Sequence, residues 1–255
     1  MSKKEVPLIL AIETATRAGS ISVARGEEIL SSLAGNASSS HSTDLLENVD
    51  KLLRTAGVKL NDIDFFAAAS GPGSFTGLRI GLATVKSFAV CTGRKCVGVS
   101  TLAAIAHAAG PSTRDTVALL PAGRGELFAQ MFSVHEDRID SLDSAAHITP
   151  TELLEKYGQI SGLTWAGEGA ALHRELLQTW AETHNIEFAA HHVDGSHNRD
   201  VIWAVAPAYE QLANSVALLA LKEYRTSNLV GPDELRATYV RPSDAEILKP
   251  WQQQK

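Results

Sequence analysis

The chain has 255 residues, of which 44% are hydrophobic and 20% charged, and its formal net charge is -6. This composition supports one large or two modest globular domains, two being the preferred reading, and it excludes the broad basic surface by which a protein binds nucleic acid unaided. Cys91 and Cys96 are the only cysteines, so there is neither a disulfide framework nor a four-cysteine zinc site, which fits a reducing compartment.

The opening MSKKEVPLILAIET places basic residues before an apolar run. The run is short and already contains Glu13, so it reads as a first strand over residues 6–12 and not as a signal peptide. No stretch approaches the roughly 18 uninterrupted apolar residues of a membrane span, and a cytoplasmic protein without membrane attachment is expected. Strands over 19–24 and 29–34 follow, joined by ATRAG and RGEE turns, and the three form an antiparallel meander. After a polar loop at 38–42, Leu45, Leu46, Val49, Leu52, Leu53 and Ala56 recur at helical spacing. Gly57 stands at the C-cap position, which predicts an amphipathic helix over 43–56.

The stretch SGPGSFTGLRIGLATVKSFAVC, from Ser70 to Cys91, is the centre of the chain. A buried strand over 63–69 is broken by Gly71, Pro72 and Gly73, Ser74 is a suitable N-cap, and a helix over 76–90 runs without a proline. That helix has two apolar stripes at spacings of four, three and four: Leu78, Leu82, Val85 and Ala89, then Gly77, Gly81, Thr84 and Phe88. A sheet buries only one stripe. Two helix glycines each cost about 1 kcal/mol relative to alanine, a cost that close helix approach would explain. The approach is either within this chain or to a second one, since small residues serve both.

A strand over 95–99 and a helix beginning at 102–109 complete a β-β-β-α-β-α-β order. The pattern then partly repeats: the buried strand 116–120, the turn PAGRG and the alternating run ELFAQMFSV over 126–134 parallel LILAIE, TATRAG and SISVA. Helices over 149–157 and 170–184 flank a strand at 163–166, and residues 201–224 read as a long apolar helix with Pro207 near its start. The polar loop 191–200 is expected to be exposed, and the tail 231–255, with Pro232, Pro242 and Pro250, reads as extended.

The doubled order resembles the α/β actin-like, sugar-kinase and Hsp70 (ASKHA) fold. Two lobes, here 1–108 and 109–255, each with a mixed sheet flanked by helices, would face a nucleotide cleft, with the last segment able to pack back on the first lobe. More specifically, SGPGSFTGLRIGLATVKSFA, with LAIETAT, HSTDLLENVDKLL and YVRPSDAEI, resembles the TsaB (YeaZ) family over the whole chain. The resemblance implies an accessory subunit of the machinery that places a threonylcarbamoyl group on the adenosine beside the anticodon of tRNAs reading codons that begin with A. Its implied partners are the catalytic paralogue TsaD, the ATPase TsaE, a second copy of itself in isolation, and tRNA only through the complex. The two helices of the first lobe would pack against their counterparts as a four-helix bundle, through Leu45, Val49, Leu52, Gly77, Gly81 and Thr84.

The catalytic paralogue holds a metal with two histidines four residues apart, and the matching stretch here, VSTLAAI over 99–105, has neither. His107 lacks a histidine on its own helical face, and the cluster His191, His192, Asp194 and His197 lacks helical spacing, so both read as non-ligands. The wider fold keeps an acid after the first strand with a glycine two positions on. Glu13-Thr14-Ala15 retains the acid and loses the glycine, and Pro121 stands where many relatives carry a second acid. Glu13 is therefore the one candidate cofactor contact: no cofactor is required, and weak nucleotide binding stays open. A Walker lysine, a nucleophile elbow around Ser74 and a dinucleotide fingerprint are all missing. A non-catalytic scaffold is expected. The alternatives are a stand-alone ATP-using or metallopeptidase-like enzyme of this fold, and a self-contained homodimer.

Overall fold

The structure is a computed structural model that describes residues 6–35, 41–136, 138–189, 202–206, 208, 209 and 211–240. It is built on two sheets. In the first, β1 (Leu8–Glu13), β2 (Ser20–Arg25), β3 (Glu28–Ala34), β4 (Phe65–Gly71) and β5 (Lys95–Ser100) lie in the order β3-β2-β1-β4-β5. The meander is antiparallel, while β4 joins β1 and β5 joins β4 in parallel, each after a crossover helix. The crossovers are α1 (His41–Thr55) and α2 (Phe75–Thr92). As the sequence predicts, Ser74 caps α2 by accepting a hydrogen bond from the Gly77 amide at 3.2 Å.

After α3 (Thr101–Ala109) the order repeats. Strand β6 (Asp115–Gly123) pairs antiparallel with β7 (Glu126–Val134) and parallel with β10 (Leu163–Ala166), as β1 does with β2 and β4. The hairpin turn is tighter than PAGRG suggests. Strand β6 runs on through Gly123, and Arg124 and Gly125 alone turn the chain at φ 54° and 79°, the left-handed pair that suits a two-residue hairpin. Short β8 (Ile139–Ser141) and β9 (Ala146–Ile148), which the sequence reading missed, extend β7 at one edge; α4 (Pro150–Tyr157) precedes β10.

Two helix assignments change. The helix expected over 170–184 is two, α5 (Glu168–Leu172) and α6 (Arg174–Thr183), broken at His173. The helix expected over 201–224 begins as a strand. With β11 (Glu187–Ala189) at the edge, β12 (Ile202–Val205) joins β10 in parallel, and only then does α7 (Leu212–Arg225) form. Ile202, Trp203 and Val205 are β-branched or aromatic and all are buried, so an inner strand suits them. The indole of Trp203 donates to the Ile160 carbonyl at 2.7 Å and meets Trp165 edge-on at 4.8 Å.

The two helices that end the halves are exchanged between sheets. Helix α3 packs chiefly on β6 and β7 while also touching β4 and β5, and α7 crosses back to lie on β1, β2, β4 and β5. The crossing is pinned by the Ala213 amide, which donates to Ser20 Oγ at 2.9 Å, and by Ser32 Oγ, which donates to Gln211 Oε1 at 2.7 Å. The segment from 230 to 238 stays with the first sheet: Val230 bridges to Cys96, and the Thr238 amide donates to the Ser70 carbonyl at 2.7 Å. No helix among the described residues is long and apolar enough to cross a membrane.

Replacing Trp203 with alanine should lower stability by about 3–5 kcal/mol, through the cavity and the orphaned Ile160 carbonyl. Chemical denaturation should show the midpoint moving down; a helical, solvent-facing 203 would leave it nearly unchanged.

Candidate functional site

Two surfaces are formed by the stretch around Ser74. One is a cleft of about 1010 Å³ between the lobes. The β1–β2 loop at Ala15, Thr16 and Arg17 meets the N-terminus of α2 on one side, and Leu120–Gly123 with Glu168 and Leu172 stands on the other. The loop is locked to the helix. The Ser74 amide donates to the Ala15 carbonyl at 2.8 Å and Thr14 Oγ1 donates to the Gly77 carbonyl at 2.8 Å.

Glu13 lies behind the cleft and does not line it. It is 1% exposed, and its two oxygens are taken up within the loop: Oε1 accepts from the Thr16 amide at 2.7 Å, Oε2 from Thr16 Oγ1 at 2.8 Å. Burial pushes its carboxyl above the usual carboxylate range, the hydrogen bonds from Thr16 and Ala15 pull the other way, and Glu168 adds to the rise. As folded, the candidate cofactor contact is thus a brace for the loop. Glu168 is raised by burial too, eased by Arg17, and the phenol of half-buried Tyr209 is pushed up by burial and then by both acids.

Residues without a sequence expectation form the cleft mouth. Phe75 and Tyr239 lie with ring centroids 5.3 Å apart, and the Arg79 guanidinium sits 3.8 Å from the Phe75 centroid. Phe75 and Arg79, four apart on a helix, were legible as a pair, whereas Tyr239 comes from a remote segment with no local signal. His107 is held inside the fold, its Nδ1 3.1 Å from Ser215 Oγ, and burial lowers its basicity. Among the described residues no group of three or more His, Cys, Asp and Glu side chains could hold a metal ion. The cluster at 191–197 lies outside the described residues.

The second surface is the outer side of α1 and α2, which lie on the same face of the first sheet. Five of the six expected contact residues are buried within the chain itself. Leu45, Val49 and Leu52 are 8%, 3% and 2% exposed and belong to the chain's own core with Leu82, Val85 and Ala89. Gly77 and Gly81 are buried as well. A Cβ on Gly77 would come within 1.9 Å of the Thr14 carbonyl oxygen, and one on Gly81 within 2.3 Å of Thr14 Oγ1. The close approach that these glycines serve is therefore to the loop after β1, and only half-buried Thr84 of the six reaches the surface. What α2 presents outward is Ile80, Ala83, Thr84, Ser87 and Val90, beside exposed Leu46 of α1. The hydroxyls on this ridge are satisfied at home: Thr84 donates to the Ile80 carbonyl at 2.9 Å and Ser87 to the Ala83 carbonyl at 2.8 Å.

Two sheets that share a core order, β2-β1-β4-β5 in one and β7-β6-β10-β12 in the other, with a cleft between them, define the duplicated actin-like fold. The comparisons agree. YeaZ from Pseudomonas aeruginosa superposes at a TM-score of 0.71 with 23% identity, covering 91% of this chain and 99% of that one. Component A of (R)-2-hydroxyglutaryl-CoA dehydratase from Acidaminococcus fermentans reaches 0.50 with 11% identity, over 87% of this chain and all of that one. The family model described as TsaD, tRNA N6-adenosine threonylcarbamoyltransferase, matches residues 33–238. The tRNA threonylcarbamoyladenosine biosynthesis protein TsaB of Escherichia coli K12 is 32% identical over 157 residues, 60% of this chain and 68% of that protein. TsaB of Haemophilus influenzae is 32% identical over 47% of this chain and 51% of its own length. The chain belongs to the TsaB (YeaZ) family, a branch related to TsaD.

Gly77→Ala should destabilise the protein by about 1–3 kcal/mol, the cost of overpacking, although alanine at an exposed helix site would stabilise by about 1 kcal/mol. Thermal melting reads the sign directly. Glu168→Gln should raise the melting temperature at pH 7. The wild-type carboxyl, raised in the fold, contributes its full share to stability below the unfolded value near 4.5 and loses it as pH rises through the folded value. The gain should therefore shrink toward zero as melting is repeated down to pH 4.

Proposed function

We propose that this protein acts in tRNA threonylcarbamoyladenosine biosynthesis as a non-catalytic subunit that seats a TsaD-like paralogue on the outer face of α1 and α2. The relatives' names support the pathway. The observation that carries the seating is the α2 ridge. Over three turns it is uncharged, exposed at Ala83, Ser87 and Val90 and half-buried at Ile80 and Thr84, and its hydroxyls are already bonded to their own helix. A second helix can therefore approach closely without stripping water from an unsatisfied group. Leu45, Val49, Leu52, Gly77 and Gly81 act from beneath, holding the two helices at the angle that the partner meets. A TsaE-like ATPase completes the assembly, tRNA is reached through the complex because the chain's own charge is negative, and the isolated chain pairs with itself through the same face. The alternative, an enzyme acting alone, draws no support from the stretch at 99–105, which lacks both histidines of the catalytic paralogue.

Ala83→Arg tests the seating. Residue 83 is exposed, so the variant should melt within about 0.5 kcal/mol of the wild type. It should lose at least about tenfold in affinity for TsaD of the same organism, a difference of about 1.4 kcal/mol. Reconstitution with TsaD, TsaE and tRNA, followed by mass spectrometry of the nucleosides, should show threonylcarbamoyladenosine falling in step. Unchanged complex and unchanged modification would remove the face from consideration, and modification or ATP turnover by the chain alone would favour the alternative. Gly81→Arg serves as the contrasting variant, expected to fail at folding and not at docking.

A further inference from the structure

The groups suited to recognition stand at the mouth of the interlobe cleft and not on its floor. Phe75 is 40% exposed, Tyr239 48% and Leu172, on the facing lobe, 67%. Deeper in, a small anion finds little to hold it: the Ser74 amide already donates to the Ala15 carbonyl, Pro121 has no N–H, and Glu168 adds a carboxyl of its own. A small molecule is held by polar groups inside a pocket, whereas exposed apolar side chains rimmed by charge are what a protein partner covers.

The charge at the rim is positive. Arg17 and Arg79 line the mouth and are exposed, on a chain whose net charge is -6. Arg17 lies near enough to Glu168 to ease its carboxyl, so that cation is already partly neutralised. Arg79 is not. Its guanidinium sits 3.8 Å from the Phe75 centroid and its Nε donates to Tyr239 Oη at 3.5 Å, while its two terminal nitrogens make no hydrogen bond or ion pair among the described residues. A guanidinium steadied on an aromatic ring, with its terminal N–H groups open, is a fork preset for a carboxylate. One carboxylate position beside exposed apolar side chains specifies the chemistry of what covers it: an acid next to an aromatic or branched aliphatic residue.

We infer that the cleft mouth docks an acidic chain segment of a partner protein, with a carboxylate on Arg79 and an aromatic or branched aliphatic side chain between Tyr239 and Leu172. The cleft behind, about 1010 Å³, has room for that side chain, and Leu120 and Phe128 in its wall give it an apolar lining. Because the mouth draws on both lobes, a bound segment bridges them. The inference does not rest on the partner face of α1 and α2, since Leu172 belongs to the other lobe.

The test pans a random peptide display library on the full chain and measures synthetic copies of the selected peptides by fluorescence anisotropy. The selected peptides should carry Asp or Glu next to an aromatic or branched aliphatic residue, and should bind more weakly as salt is raised. Arg79→Glu and Leu172→Asp should each weaken binding by about tenfold or more. Leu172→Asp, at an exposed position, should melt as the wild type does, which separates docking from folding. Neutral or basic selections, no selection, or binding that either variant leaves unchanged would overturn the inference. Displacement of the peptides by millimolar magnesium ATP would assign the mouth to a phosphate ligand and overturn it equally.

Discussion

The contact on which the rest of this structure depends is between Thr14, at the end of the first strand, and the glycine groove of α2. With no Cβ at Gly77 or Gly81, the loop's backbone and hydroxyl press directly onto the helix. That fixes three things together. It sets the depth at which α2 sits on the sheet, it brings Ala15 and Ser74 to one wall of the cleft, and it turns Ile80, Ala83 and Ser87 to the outside. A bulkier loop or a helix without glycines would lift α2 away, opening the cleft wall and rotating the outer ridge in a single movement. Buried Glu13 serves the same contact from behind. Its carboxylate costs desolvation, yet it fixes Thr16 through two hydrogen bonds and so holds the loop in the shape that the groove accepts.

The exchange of α3 and α7 makes the lobes interdependent. Each sheet has one helical layer supplied by the other half of the sequence, so neither half closes its own core. Burying α7 on β1 and β2 ties the second half's C-terminal helix to the first half's first hairpin, and the Ala213 amide to Ser20 bond gives that attachment a fixed register. A duplicated chain built in this way keeps a cleft between its sheets, because the shared helices fill only one side of the space between them.

Much of this was legible in the sequence because it is local. Ser74 as a cap, Gly57 after α1 and the period of Leu78, Leu82, Val85 and Ala89 are read within one or two turns of chain. The duplication was visible because LILAIE and TVALL are followed by hairpins of the same kind. What stayed hidden depends on distant partners. Gly77 meets a carbonyl 63 residues away, so periodicity found the second stripe but not what fills its first two turns. Leu45, Val49 and Leu52 carried the hydrophobic pattern of α1, which marks the face toward the protein's own core, while the outer face is marked by what it lacks, charge on Ile80, Ala83, Thr84, Ser87 and Val90. The strand at Ile202–Val205 was absorbed into a helix because a short apolar run has no period of its own, and only pairing with β10 decides it.

A face with no charge along its ridge has a consequence for partner choice. Complementary ridges of small residues pack alike whether the second helix comes from a copy or from a paralogue, so packing alone gives little discrimination. If the ridge seats a partner as proposed, the discrimination comes from the flanks, where α1 exposes Glu47, Asp50, Lys51 and Arg54, and α2 exposes Arg79 with Lys86 half-buried. In a symmetric pair each flank meets itself across the twofold axis, so charges near the axis face their own sign, whereas a paralogue can present the opposite sign to each. On the proposed reading the ridge supplies the affinity common to both assemblies. The flanking charges, of which Asp50 and Arg54 are already paired at 2.8 Å on the surface of α1, decide between them.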